Sequence, residues 1–192
     1  MPRKSDAKEK LIKTAARLFR QRGYHAVGLT EILDESGAPK GSFYHHFPEG
    51  KDELAEHCLR YSSGRLVNSI DEAFENARSF NDGVQAMTKA IGYWFKESNY
   101  ELGCPIATVI LETTPQSERI QQTAQEIYKG WVSVIKKHAA RLGETSFENN
   151  NDKAEAVILA FEGAWVLSRI QRSVKPFELA ARLCTGYDNT ES

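Results

Sequence analysis

Lys40, Gly41, Ser42, Tyr44 and His45 fall together in the stretch KGSFYHHF. Each type suits contact with a nucleic-acid duplex. A Lys ammonium meets a phosphate or a guanine edge, and Ser, Tyr and His hydrogen-bond phosphates or base edges. A Gly lets the backbone approach closely. Such chemistry requires that the side chains be held outward on something rigid. Phe43 and Phe47, four positions apart, share the opposite face of a helical segment. So short a helix cannot stand alone, since isolated helices below about 12–15 residues are marginal in water. The two Phe must dock on a neighbouring element.

The elements that could do this are legible upstream. Leu11, Ala15, Leu18 and Phe19 repeat at helical spacing and end in the basic turn RQRG, with Gly23 as the C-terminal glycine. A second, short helix is expected from about Thr30 to Ser36, with Thr30 able to cap it and Glu31 suited to its positive end. Gly37-Ala38-Pro39 breaks the chain, and Gly37 stands where a sharp turn needs positive φ. Lys40 to Phe47 then forms a third helix. Two short helices across such a break have the punctuation of a helix-turn-helix. Lys51 follows at the front of a fourth helix, beside amides disposed to bind an anion.

Charge distribution agrees with a polyanion-facing end. The net charge of the 192 residues is −1, yet residues 1–25 carry +6 and the remainder −7. A basic end on an acidic body points one surface at a polyanion, although a solvated basic arm over Lys4 to Lys13 would look the same.

Beyond residue 50 the helical pattern continues almost without strand signals. Helices are expected over about 51–77, 81–98, from Cys104-Pro105 to before Pro115, 117–142, 153–172 and from Pro176, with ENNND at 148–152 as a loop. The fold class is all-α, with about nine helices. AVILAFEGAWVL, residues 156–167, has Glu162 as its only charge. A helix apolar all round needs cover on both sides, either as a central core helix or at an interface where Ala160, Gly163 and Ala164 allow close approach.

Residues 10–54 resemble the DNA-binding domain of the TetR family of regulators. The resemblance rests on LFRQRGY, VGLTEIL and SGAPKGSFYHHF in that order, then a turn and Lys51 before DEL. It implies a helix-turn-helix domain over residues 1–50 and a helical ligand-binding and dimerisation domain over residues 51–192. It implies that Thr30 and Ser42 bond phosphates or bases, that Tyr44 and His45 reach phosphates, that Gly41 lets the helix sit deep in the groove, and that Lys51 clamps the backbone. Pro39 stands where most members carry a capping Ser or Thr, which removes a side-chain acceptor, and the turn PEGK is one residue longer than common. Both departures, with GCPIATVILE, are similar to the LmrA/YxaF-like branch.

The resemblance further implies a homodimer joined by the last two long helices, with Val157, Ala160, Phe161, Ala164 and Leu167 at the interface, and an operator of double-stranded DNA. It also implies a small, largely apolar or aromatic effector. Aromatic residues at helical spacing are usually core, but as a set they could line its cavity. Phe74, Trp94, Phe95 and Trp131 belong to that expected lining, as do Cys104, Ile110, Phe161 and Trp165. Cys104, before a helix start, could alternatively sense electrophiles, and Glu112 is placed either to meet a ligand hydroxyl or to serve as a surface or capping residue.

Other classes fit less well. There is no HExxH, nucleophile elbow or phosphate-cradling glycine loop, and no cofactor motif. Cys58, Cys104 and Cys184 lack metal-ligand spacing and read as reduced cytoplasmic thiols. The longest apolar stretches, about 102–111 and 156–161, are bounded by Glu and fall short of the ~18 residues of a membrane span. A helical scaffold protein would explain the apolar helix but not the Lys-Gly-Ser-Tyr-His face.

Overall fold

A computed structural model describes residues 4–104, 106–114, 116–145 and 151–186, with side chains from Ala7 onward. Pro105, Pro115 and most of the 148–152 loop therefore lie outside the described residues, as do Arg3 and the Lys4 side chain. Among the described residues the helices are α1 (Lys4–Arg22), α2 (Leu29–Ser36), α3 (Lys40–His46), α4 (Lys51–Glu75), α5 (Phe80–Glu97), α6 (Ala107–Thr113), α7 (Glu118–Arg141), α8 (Asn151–Gln171) and α9 (Lys175–Thr185). They include no strand.

The chain forms two compact units. The first comprises Met1–Arg65 and Cys104–Ile127, the second Leu66–Gly103 and Tyr128–Ser192. The first unit thus continues past residue 50 to take in the first half of α4, all of α6 and the start of α7.

In the first unit, α1 ends where the sequence places it. Gly23 adopts φ +87° and donates its N–H to the Phe19 carbonyl. Gly37 takes φ +65° as the C-cap of α2, the left-handed conformation the break requires. The cap of α2 is Gly28, without a side-chain bond, and Thr30 is the second helical residue. Sequence reasoning placed Thr30 as the cap. The helix begins one residue earlier, so its hydroxyl sits exposed on the first turn instead. Pro39 caps α3 and accepts there no side-chain bond, as its chemistry dictates. Ion pairs of Arg17 with Glu35 and Arg22 with Glu31 tie α1 to α2, so part of the basic excess at this end is met internally.

In the second unit, α9 packs along α8 and α5. Phe95, Trp165 and Phe177 meet edge to face, with centroids 5.0–5.8 Å apart, a geometry favoured by the ring quadrupoles. Phe161 adds a ring 6.3 Å from Phe177. At the other end Phe74 stacks on His138 at 4.7 Å, and His138 Nε2 lies 2.7 Å from Asp71. The Phe74 ring occupies the space that a side chain at Gly83 would need. Gly83 is therefore glycine because a ring is seated against it.

A candidate nucleic-acid interface

α3 has seven residues, too few to persist unaided. Phe43 and Phe47 are fully buried, with ring centroids 5.5 Å apart, and α3 packs on α1. Lys8 of α1 places its ammonium 5.7 Å from the Phe47 ring, and the His57 ring meets Phe47 at 5.5 Å. With that face pinned, the other must look outward. Lys40, Gly41, Tyr44 and His45 are exposed and Ser42 is half-buried. Tyr44 is 49% exposed, although its ring edge meets Phe43 at 5.1 Å. A Cβ added at Gly41 would meet nothing within 4 Å, so packing does not demand glycine there. The five polar-face residues thus share one outward surface on a helix fixed from behind.

Lys51 is the first residue of α4, where the sequence reading put it, and its ammonium also has a partner within the chain. Its Nζ donates to the Tyr24 carbonyl at 2.6 Å and lies 4.0 Å from the Tyr24 ring centroid. Burial lowers its pKa, with Asp52 and Glu112 opposing. Lys51 is therefore a tether as well as a charge at the head of α4. Tyr24 also bonds Asp52 through its hydroxyl. Burial, with that bond, pushes the phenol above its usual range. Asp52 in turn accepts from Ser117 Oγ at 3.1 Å.

Sequence reasoning missed this second layer. Tyr24, Asp52 and Ser117 are polar residues on separate elements, and no local spacing joins them. Glu112 was left between ligand, surface and capping roles. The structure places its carboxylate on the His25 backbone N–H at 2.7 Å. A chain of ion pairs flanks the same region: Arg119 with Glu49 and Glu56, and Arg60 with Glu56 and Glu126. Burial raises the Glu56 carboxyl, but the bonds from Arg60 and Arg119 outweigh it and the net shift is downward.

Residues 11–58 match the family described as bacterial regulatory proteins, tetR family, and residues 81–183 match the transcriptional regulator LmrA/YxaF-like C-terminal domain. The chain belongs to the TetR family. It is a transcriptional regulator rather than an enzyme. Among relatives it is similar to the uncharacterized HTH-type transcriptional regulator YxaF of Bacillus subtilis, 33% identical over 183 residues that cover 94% of each chain. The HTH-type transcriptional regulator LmrA of the same organism is 33% identical over 172 residues, 89% of this chain and 90% of that one. The TetR regulatory protein of Rhodobacter sphaeroides shares the fold, with a TM-score of 0.79 at 20% identity over 93% of this chain and 96% of that one.

For a TetR regulator the body of the molecule holds the remaining expected sites, and here several side chains face other ways than anticipated. Of the interface set, Val157, Phe161 and Ala164 are buried within the single chain. Their burial leaves them little surface to offer a partner. Leu167 is 46% exposed and Ala160 half-buried. The outward stripe of α8 instead comprises Leu159, Gly163, Val166, Leu167 and Ile170. Because the helix is apolar all round, sequence could not tell which side faces out.

Of the expected effector lining, Phe95, Phe161 and Trp165 are packed on one another or on Phe177, and Phe74 on His138. Trp131 is buried too, whereas Trp94 is 41% exposed. Cys104 and Ile110 belong to the first unit. Cys104 is 3% exposed and precedes the first residue of α6, Ala107, so the expected position at a helix start does not hold. None of the three cysteines is in a disulfide. Burial pushes Cys58 up and Cys184 up to about 11. Among the described residues no group of His, Cys, Asp and Glu could hold a metal, and no helix is long and apolar enough to cross a membrane.

Proposed function

We propose that this chain is a cytoplasmic, ligand-responsive repressor that binds a palindromic operator as a homodimer and is released by a small, largely apolar effector. The single observation that carries the DNA reading is the outward face of α3, held from behind by Phe43 and Phe47. In this reading Lys40 and Ser42 reach base edges or phosphates, Tyr44 and His45 take phosphates, and Gly41 permits close approach. Thr30, Pro39 and Lys51 frame them at the starts of their helices.

The dimer reading is supported by Leu159, Val166 and Ile170 of α8 and Leu183 of α9, exposed by 58–72%. They lie on two helices that pack together. Large apolar side chains left exposed on such a helical pair favour an interface. Two copies of α3 related by a two-fold axis would meet major grooves about 34–36 Å apart. The effector acts by binding one conformation better than another, since differential affinity is the only source of a population shift. A coupling of about 1–3 kcal/mol would alter operator affinity about 5–150-fold. The exposed Trp94 and half-buried Ile110 are the members of the expected lining with surface still to offer.

Selection of bound sequences from a random duplex library tests this reading. A repressor enriches a palindrome, and compounds screened against that complex release it. Enrichment of no sequence would overturn it.

A further inference from the structure

The segment Gly23–His25 leads from α1 towards α2, and the rest of the helix-turn-helix hangs from it. Two elements grip this segment. From α4, Lys51 Nζ bonds the Tyr24 carbonyl at 2.6 Å and Asp52 bonds the Tyr24 hydroxyl. From α6, the Glu112 carboxylate accepts the His25 backbone N–H at 2.7 Å, and the Glu112 carbonyl lies 3.0 Å from His25 Nε2. Glu112 is also seated flush on the backbone. A Cβ on Gly23 would run into the Glu112 carboxylate, the far end of a flexible side chain, so it is the φ of +87° that calls for glycine there.

The position of Glu112 is unusual on electrostatic grounds. It lies in the last turn of a seven-residue helix, where the partial negative charge of the helix end disfavours a carboxylate. Placed there, it gains the amide of a different element as its partner.

We propose that Glu112 is a positioning residue for DNA reading: its side-chain oxygen holds the Gly23–His25 segment, and through it α2 and α3, in the orientation that matches the operator. The inference rests on the DNA-binding reading given above and adds the residue through which the place of α6 reaches the reading helix. A hydrogen bond of this length is lost when the atoms separate by about 1 Å. A small displacement of α6 therefore releases one of the two grips on the segment, leaving only that from α4. What matters is an acceptor atom at the right reach, not a negative charge.

Two variants separate those terms. Glu112→Gln keeps the reach and an acceptor oxygen but loses the charge. Glu112→Asp keeps the charge but draws the carboxylate back by about 1.5 Å, one carbon–carbon bond. Binding is measured by fluorescence anisotropy on a duplex selected from the random library and on a shuffled duplex, with hydrogen exchange of the His25 amide followed in parallel. E112D is expected to bind the selected duplex at least tenfold more weakly, to bind the shuffled duplex within twofold of the unaltered protein, and to exchange the His25 amide at least tenfold faster. E112Q is expected to stay within threefold on every readout. The proposal is overturned if E112D behaves as the unaltered protein, if E112Q falls as far as E112D, or if both duplexes weaken equally. An unaltered protein that prefers no duplex would remove the DNA-binding reading itself, and this inference with it.

Discussion

The ammonium of Lys51 is bonded to the carbonyl of Tyr24 and lies over that residue's ring. One side chain thus joins the head of α4 to the turn after α1. Changing Lys51 to Ala removes a hydrogen bond from a charged donor and a cation–π contact, together about 2–3 kcal/mol of stability. Because neither interaction reads a base, affinity for all duplexes is expected to fall by a similar factor. Chemical denaturation and a low-salt titration on selected and shuffled duplexes check this. Unchanged affinity on both would contradict the placement of Lys51 at the interface.

Lys40 and Ser42 are expected to behave otherwise. They stand on the outward face of α3, where an altered donor changes which base is accepted, by about 1–3 kcal/mol for a good bidentate contact. Repeating the library selection with Lys40→Ala and Ser42→Ala should return altered consensus sequences. The same consensus from both variants would assign them to phosphates alone.

Phe43 is fully buried beneath that face. Phe43→Ala should cost about 3–5 kcal/mol, the usual cost of emptying a large aromatic site. The loss should fall on the first unit, abolishing selective binding while the protein keeps its mass in solution. Light scattering and anisotropy on the same sample distinguish these outcomes.

A charge on the outward stripe of α8 should do the reverse. Ile170 is 72% exposed, and Ile170→Glu is expected to yield a folded species of 21.6 kDa in place of one twice that mass. If each half neutralises about four phosphates, the unaltered dimer gives a log–log salt slope of about −7 and the monomer about half of it. A monomeric unaltered protein would sink the interface.

His57 provides a pH test of the packing behind α3. Burial, then the charge of Lys8, lowers its pKa below 6.5, against the pull of Glu56 and Glu53. The folded chain therefore binds this proton less readily than the unfolded chain. The stability that follows is present above pH 6.5 and is lost as pH falls through that value towards the lowered one. Calorimetry should show a melting temperature that falls over this window, and less steeply in His57→Gln. Identical slopes would contradict the shift.

Much of this was legible in the sequence, for reasons that differ along the chain. Gly23, Gly37 and the Phe43/Phe47 pair are local signals, set by φ and by helical spacing, and the first helices follow from them. The start of α2 was misplaced because Gly28 caps with backbone alone, while Thr30 looks the better cap. Of the α8 residues expected at an interface, Val157, Phe161 and Ala164 are buried within the chain and Leu167 faces out, because an all-apolar helix has no polar face to fix its rotation. The tie from Glu112 to His25 spans 87 positions, and no periodicity reports a contact at that separation.

The central claim is that α3 reads DNA as one of a two-fold pair. Hydroxyl-radical footprinting of the unaltered protein on its selected duplex tests it most directly. Two protected patches related by a dyad and about 34–36 Å apart are expected, both lost in Phe43→Ala. A single patch, or uniform protection along the duplex, would contradict the account.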